Sequence, residues 1–209
     1  MSFIKQFSNP AFAVLQVLMV WGLLGIFSAP AYSQVMLNSI GGSFPLFNGQ
    51  DTSAWTRSGN ANWSPTGNGV SANQGSGMLI SRFSFTDYQI QFEYWVDEST
   101  EFSILTHCAD PNYIAQKGAV EVNLSNYPKQ LYGAGSVVGM IKAPNIQVMN
   151  QWNKVIISSQ SNKISVTLNG VTIANKMDYP NFSSGPFAIG FGGGNLKIAN
   201  FTAIIPGRW

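Results

Sequence analysis

The chain has 209 residues, a formal net charge of +2 and a charged fraction of 10%. This near-neutral balance argues against a nucleic-acid partner, because no basic stripe is present to meet phosphates. The chain has one cysteine and therefore forms no intramolecular disulfide, although a chain of this size, which buries roughly 70% of its unfolded surface, needs none.

The opening of the chain has the pattern of an export signal. Lys5 is its only charge, and residues 11–27 are apolar apart from Gln16 and two glycines. Small residues follow at once, with Ala29 and Ala31 placed for signal-peptidase cleavage after Ala31 or Ser33. The alternative is an uncleaved anchor, because this apolar run is near the lower limit for crossing a bilayer.

No cysteine lies in this opening segment, so a bacterial lipoprotein anchor is excluded. We predict that residues 1–33 are a signal peptide and that residues 34–209 form a single domain. A disulfide-free exported protein is more typical of bacterial envelopes than of animal secretions. The expected location is therefore periplasmic or secreted, with no stable membrane insertion after signal cleavage.

Short alternating runs then recur at intervals of roughly ten residues, without a helical period between them. This pattern predicts an all-β fold, in which two packed antiparallel sheets form a sandwich or jelly roll. The predicted strands cover residues 69–71, 78–80, 88–96, 102–107, 120–124, 155–158, a hairpin over 163–174, 187–191 and 196–205.

The hairpin over 163–174 is the clearest local signal. Branched apolar and polar residues alternate on both sides of Asn169 and Gly170. An Asn-Gly pair tolerates the positive φ that both central residues of a type I′ turn require, and the twist of that turn matches the strands beside it.

Alternation also assigns side chains to faces. In the run 88–96, Ile90 and Phe92 share the apolar face, and Glu93 and Trp95 lie on the other. The same reasoning places His107 on one face of its strand with Ser103 and Leu105. In the next strand it buries Val120 and Val122 and directs Glu121 and Asn123 to the other face. We therefore expect Glu93, His107 and Glu121 to open onto one concave face, since each lies on the polar phase of its strand.

An ordered set of motifs carries a resemblance to a known family. Residues 47–51 (Phe-Asn-Gly-Gln-Asp), followed by two tryptophans, resemble the opening of the 3-keto-disaccharide hydrolase domain family. Val120–Leu124 is similar to that family's Tyr-Glu-Val-Gln-Ile strand, and Tyr127-Pro128 and Ser184-Gly185-Pro186 follow in the same order. The resemblance covers nearly all of residues 44–205 and implies a concanavalin A-like lectin/glucanase jelly roll.

One position departs from the family pattern. The resemblance implies an Arg at the end of the strand before the Glu121 strand, whereas this chain has its only histidine there, His107. A guanidinium is always charged and grips an oxyanion through two donors, while an imidazole titrates near neutral pH. The substitution is expected to change the substrate, weaken catalysis or abolish it.

The resemblance implies cleavage of glycosidic bonds next to a 3-keto group, which needs a base, an acid and a group that stabilises an enolate. Glu121 and His107 are the candidate base and acid, in either order. Glu93 and Asn123 are candidate ligands for sugar hydroxyls or for a divalent metal ion, and Trp95 and Tyr132 are candidate stacking platforms for a sugar ring.

Three classes of function remain open. The first is an exported hydrolase or lyase, the second a non-catalytic carbohydrate-binding module, and the third a structural protein of the envelope. The first two share a carbohydrate partner, as substrate or as ligand. A Cys108–His107 nucleophile pair is not expected, because neighbours in a strand point to opposite faces.

We predict that the exported protein begins near Tyr32 or Gln34, because small residues follow the apolar run directly. N-terminal sequencing of the protein recovered from the envelope or medium tests this expectation. Recovery of a chain that still begins at Met1 would show an uncleaved anchor instead.

Overall fold

The computed structural model describes residues 41–107, 119–127, 130–179 and 184–206. The predicted signal peptide, residues 1–33, and Cys108 lie outside the described residues. No helix in the described ranges is long and apolar enough to span a bilayer.

Thirteen antiparallel strands make up the regular structure of the described ranges, which confirms the predicted all-β class. Every strand predicted from the sequence is present. The strands are β1 (Gly42–Pro45), β2 (Trp55–Gly59), β3 (Ser64–Thr66), β4 (Gly69–Ala72), β5 (Gly77–Ser81), β6 (Tyr88–Val96), β7 (Glu101–Thr106), β8 (Val120–Asn123), β9 (Trp152–Gln160), β10 (Lys163–Leu168), β11 (Val171–Asp178), β12 (Ala188–Gly193) and β13 (Leu196–Ile205).

These strands form two sheets around a shared apolar core. The larger, eight-stranded sheet has the order β11-β10-β9-β6-β13-β4-β3, with β1 also paired to β13, and the smaller, five-stranded sheet has the order β2-β5-β12-β7-β8. We call the face of each sheet that is turned away from the other sheet its outer face. In β6 the predicted alternation is confirmed, with Ile90 and Phe92 buried between the sheets and Glu93 and Trp95 half-buried on the outer face.

The Asn-Gly hairpin joins β10 to β11 as predicted. Asn169 and Gly170 have φ values of 50° and 81°, the pair of positive angles that a type I′ turn requires. The Asn169 side chain also accepts a hydrogen bond from the backbone N–H of Lys154 at 2.9 Å, which ties the turn to β9.

Strands β1, β2 and β3 were not predicted from the sequence. They are short and largely exposed, so they show no clear alternation of apolar and polar residues. Pro45 and Pro65 lie within β1 and β3, and proline is tolerated only where a strand does not need to donate a ladder hydrogen bond. Pairing of β1 with β13, of β2 with β5 and of β3 with β4 therefore creates these strands, rather than their own propensity.

A β-bulge at Asn200 changes the phase of β13. The pairing with β6 skips one residue between Ala199 and Thr202, and Asn200 has a φ of 54°. Its Nδ2 donates to Glu93 Oε2 at 2.8 Å, and its Oδ1 accepts from Asn68 Nδ2 at 2.6 Å. The extra residue turns Phe201 into the core, where uninterrupted alternation would have directed Asn200.

Phe201 lies at the centre of the aromatic core. Its ring stacks on Phe92 at 4.5 Å between centroids and on Phe187 at 5.9 Å, and it meets Trp55 edge to face at 5.9 Å. Phe92 belongs to the larger sheet and Trp55 to the smaller one, so these contacts join the two layers. Full burial of such a ring contributes roughly 1.5–3 kcal/mol, with about 0.5–1.5 kcal/mol more for each well-placed aromatic pair.

His107 also joins the two layers, at the end of β7. It has a φ of 55°, so the chain leaves the strand alternation at this residue and the ring turns in between the sheets. The imidazole Nε2 lies 2.9 Å from Tyr179 Oη and 3.0 Å from Ser159 Oγ, and the ring stacks on Tyr88 at 5.5 Å. The residue is fully buried.

The environment of His107 favours a neutral ring. Burial lowers the pKa of His107, against the smaller opposing effects of the Thr86 carbonyl and the Asp87 charge. Burial also raises the pKa of Tyr179, with a hydrogen bond from Ser159 acting in the opposite direction. Imidazole and phenol are therefore both uncharged at neutral pH.

We expect Asn200→Ala to lower the free energy of unfolding by about 2–3 kcal/mol, because Ala loses the hydrogen bonds and adopts positive φ poorly. Asn200→Gly keeps the backbone angle and should cost about 1 kcal/mol less. Gln91→Ala, a change at an outer-face position in β6, is the control and should stay within about 0.5 kcal/mol. Urea unfolding measures all three. Equal losses for the Ala and Gly variants would contradict a role for the positive φ.

The buried histidine predicts a pH dependence of stability. The unfolded chain takes up a proton on His107 near the ordinary pKa of 6.5, while the folded state resists protonation, so stability should fall as pH decreases below about 6.5. His107→Asn, which suits positive φ, should lack this component. The measurement is the urea midpoint of the wild type and of His107→Asn at about pH 8 and pH 4.5. Both proteins have the same carboxylates, so the difference between their pH dependences reports the contribution of His107. Parallel curves for the two proteins would contradict the prediction.

Candidate functional site

Glu121 lies on the outer face of the smaller sheet, at the middle of β8. Val120 and Val122 on either side are buried in the core, so the alternation directs Glu121 outward. The side chain is half-buried, and within the described ranges its carboxylate has no ion pair or hydrogen bond. A carboxylate so placed is available to a ligand.

The surface around Glu121 is unusually apolar for an outer face. Strand pairing places Glu121 directly opposite Leu105, and Leu105 in turn opposite Ala188, which pairs with Ile80. Leu105, Ala188 and Ile80 form a separate buried apolar cluster, with Met78 packed against it. The carboxylate therefore borders an apolar patch rather than a fully hydrated surface.

Small residues leave a shallow depression in the surface beside this patch. Gly190 lies opposite Ser103 in the strand pairing, one row along from Leu105. A Cβ added at Gly190 would lie 3.1 Å from Ser103 Oγ and 3.2 Å from Leu105 Cδ1, so a side chain there would crowd both neighbours. The glycine leaves the Ser103 hydroxyl and the Glu121 carboxylate on an open, shallow surface.

Asn123 lies two residues after Glu121 in β8, and its side chain donates to the backbone oxygen of Tyr132 at 2.5 Å. Asn123 is buried, and its Nδ2 donates to the backbone oxygen of Ser125 at 2.8 Å and to Gln130 Oε1 at 3.1 Å. Its amide thereby holds the chain that follows β8. Tyr132 is half-buried, and the Lys142 ammonium lies 5.7 Å from the centre of its ring.

The prediction that His107 shares a face with Glu121 is wrong. The sequence analysis assumed that alternation continues through residue 107, but the positive φ of His107 turns its ring between the sheets. Leu105 and Glu121, by contrast, lie side by side on the outer face. The body of the smaller sheet therefore separates the two proposed catalytic groups.

Glu93 and Trp95 are also separated from Glu121, because they lie on the outer face of the larger sheet. Glu93 accepts the hydrogen bond from Asn200 and so supports the bulge. Trp95 lies beneath Lys197, whose ammonium is 5.1 Å from the ring centre. A single site containing Glu93, His107 and Glu121 is therefore excluded by the fold. Of the other predicted residues, Asn123 shares β8 with Glu121 and is hydrogen-bonded to the backbone of Tyr132.

Sequence reasoning missed several residues around these groups. Ser103 and Gly190 complete the Glu121 surface, and their only sequence signal is a small residue at an outward strand position. Ser159 and Tyr179 contact His107 from 52 and 72 residues away in the chain. No local pattern marks such partners, because strand pairing alone brings them together.

No group of three or more His, Cys, Asp or Glu side chains is placed to hold a metal ion in the described ranges. Glu93 and Asn123, the candidate ligands, lie on different sheets and cannot share one ion.

The fold is similar to those of solved carbohydrate-related proteins. A Parabacteroides distasonis protein, assigned provisionally as a glycosyl hydrolase, has a TM-score of 0.66 at 15% identity, covering 79% of this chain and 94% of that one. A Bacillus licheniformis β-glucanase has a TM-score of 0.57 at 14% identity, covering 80% and 99%. The carbohydrate-binding module CBM66 from Bacillus subtilis has a TM-score of 0.54 at 17% identity, covering 72% and 95%.

These likenesses confirm the predicted jelly-roll, concanavalin A-like architecture. A comparison with curated proteins finds no match. Residues 42–203 match the 3-keto-α-glucoside-1,2-lyase-like domain, which confirms the resemblance found in the sequence and indicates a carbohydrate-active domain of glycosyl hydrolase type. The match covers most of the chain, and the protein belongs to the 3-keto-α-glucoside-1,2-lyase-like family.

Proposed function

We propose that this protein is an exported enzyme that cleaves the glycosidic bond of 3-keto-glycosides, with Glu121 as the general base. The observation that carries the proposal is the half-buried carboxylate of Glu121, which lacks a partner in the described ranges and borders the Leu105–Ala188–Ile80 patch. Membership of the 3-keto-α-glucoside-1,2-lyase-like family supports this substrate class.

The chemistry begins at C2 of the sugar. The ketone at C3 acidifies the hydrogen on C2, and Glu121 removes it to form an enolate. When the C3 carbonyl re-forms, the C2 electron pair makes a C1=C2 double bond and expels the glycosidic oxygen from C1. Addition of water, with hydroxyl at C1 and a proton at C2, completes net hydrolysis. This route needs one base near C2 rather than the spaced carboxylate pair of ordinary glycosidases.

Ser103 is placed to assist the enolate oxygen. It lies diagonally across from Glu121 on the neighbouring strand, at roughly the 7–8 Å separation typical of such positions, which is wide enough for a sugar ring between them. Its hydroxyl is half-buried and can donate to the oxygen at C3 while the carboxylate faces C2.

The leaving oxygen also needs a proton. His107 is buried behind the sheet and does not face this surface, so the original pairing of Glu121 with His107 does not supply it. Once Glu121 has taken the C2 proton it is itself a carboxylic acid, and the leaving oxygen is attached to the adjacent carbon. We propose that Glu121 returns the proton to this oxygen and so acts as base and then acid.

Export is part of the proposal. It is supported by the apolar run and the small residues after it within residues 1–33, which have the pattern of a signal peptide. A periplasmic or secreted enzyme would meet its glycoside outside the cytoplasm.

A non-catalytic carbohydrate-binding module is the second candidate. The inward position of His107, at the place where the family resemblance implies an Arg, favours this alternative, because the imidazole is buried and contributes no charge to the Glu121 surface. The structural likeness to CBM66 supports a carbohydrate ligand in this case as well.

Glu121→Gln should lower turnover of a 3-keto disaccharide at least a hundredfold. Gln keeps the shape of the side chain and loses the basic oxygen, and a general base contributes roughly 10²–10⁴ in rate. Ser103→Ala should cost roughly tenfold, since it removes one neutral donor. Product release with time, with and without added divalent metal, is the measurement.

Glu98→Gln is the matched control. It makes the same chemical change at an exposed turn position between β6 and β7, and it should leave turnover unchanged. Circular dichroism spectra should coincide for all variants. Wild-type protein that is inert toward every 3-keto disaccharide, yet retained on a polysaccharide column, would refute the enzyme and leave the binding module.

A further inference from the structure

A groove of about 580 Å³ lies on the outer face of the larger sheet, across neighbouring strands from β11 through β10, β9 and β6 to the end of β13. Its volume is within the range of small-molecule sites. Gln89, Ser158, Ser165 and Ile204 line it, together with Lys163 and Lys176. The groove is therefore on the opposite layer from Glu121 and is separate from the proposed catalytic surface.

Lys176 enters this groove from a distorted part of β11. The pairing of β10 with β11 skips a residue between Ala174 and Met177, and Lys176 has a φ of 49°. Its backbone N–H donates to Ser165 Oγ at 2.9 Å, which holds the bulge in place. A bulge of this kind re-aims a side chain, and positive φ at a lysine is kept only where surrounding contacts enforce it.

The groove contains one ammonium group without an acidic partner in the described ranges. Lys163 is paired with Asp178 at 2.6 Å, whereas within the described ranges Lys176 has no acidic partner. None of the lining residues is acidic. Asp87 does not line the groove, and its carboxylate accepts a hydrogen bond from the backbone N–H of the lining residue Ser161 at 2.7 Å.

The remaining lining is suited to hydroxyl groups. Ser158 Oγ lies 3.3 Å from Gln89 Oε1, which leaves the Gln89 amide N–H₂ free to donate and the Ser158 oxygen free to accept. Ile204 provides an apolar wall on the β13 side, against which the C–H face of a sugar ring can pack. Hydroxyl partners, an apolar wall and one unpaired ammonium together match a sugar that carries an acid group.

We propose that this groove binds a sugar unit bearing a carboxylate, with Lys176 as the residue that selects for the charge. Lys176 holds the carboxylate, and Gln89, Ser158 and Ser165 bind ring hydroxyls. The site is independent of the reaction proposed at Glu121, and it would hold an acidic glycan against the enzyme while the opposite layer acts on its substrate.

Titration of ¹⁵N-labelled protein with sodium D-glucuronate, with D-glucose as the uncharged comparison, tests the site. Glucuronate should shift the amide signals of Gln89, Ser165 and Lys176, and it should bind about tenfold more tightly than glucose. Lys176→Gln should remove this preference, whereas Lys154→Gln, an exposed lysine elsewhere on the larger sheet, should retain it. Glu121→Gln should bind glucuronate like the wild type, which separates this proposal from the catalytic one.

Lys176→Gly provides a second readout. Glycine accepts positive φ without strain, so this variant should have a urea midpoint at or above that of the wild type while losing the preference for glucuronate. Such a result shows a folded protein without the selecting charge.

Three outcomes would overturn the proposal. The first is equal binding of glucuronate and glucose by the wild type, and the second is an unchanged preference in Lys176→Gln. The third is an equal response of the same signals to inorganic phosphate, which would show a general anion site and no sugar recognition.

Discussion

The packing of the two sheets depends on a single extra residue in β13. Asn200 occupies a bulge with positive φ, and this turns Phe201 into the core. There Phe201 stacks on Phe92 of β6, in the larger sheet, and on Phe187, which directly precedes β12 of the smaller sheet. Without the bulge, the polar Asn200 would point between the sheets and the aromatic ring would lie in solvent. The rest of the core is built around this ring.

The same constraint explains Glu93. A carboxylate on a half-buried strand face suggested a ligand-binding group, but its described partner is the Asn200 amide. The Oδ1 atom of the same Asn200 amide accepts a hydrogen bond from Nδ2 of Asn68, just before β4. Glu93 and Asn68 thus hold the bulge by hydrogen bonds from both neighbouring strands. Glu93, which the sequence predicted to bind a ligand, instead stabilises the bulge that turns Phe201 into the core.

Positive φ at residues other than glycine recurs where a side chain changes direction. At Asn200 it brings Phe201 inward, at His107 it turns the imidazole between the sheets, and at Lys176 it accompanies a bulge beside an open groove. The turn at His107 has the largest consequence for function. The family resemblance implies a cation at this position, but His107 is a neutral, buried residue that contacts Ser159, Tyr179 and Tyr88. Glu121 is then the ionisable side chain on the outer surface of β8.

The division of the molecule into two faces follows from this geometry. The smaller sheet presents Glu121 beside an apolar patch and a floor of small residues, a setting suited to proton abstraction. The larger sheet presents polar side chains, lysines and exposed Trp152, a setting suited to contacts with a glycan. Family membership indicates a carbohydrate-active domain, and the two proposals assign a different role to each face.

The sequence by itself determined the all-β class, the long strands and the Asn169–Gly170 turn. These features depend on the local alternation of apolar and polar residues and on the backbone angles that the turn residues tolerate. Both can be read from a few consecutive residues of the sequence. It also predicted correctly that Glu121 points outward, because the buried valines on either side make its direction a local property. The tertiary structure alone decided the short strands β1 to β3, the bulge at Asn200 and the inward turn of His107. Those features depend on pairing with strands far away in the chain, and a single residue of positive φ is enough to reverse every face assignment that follows it.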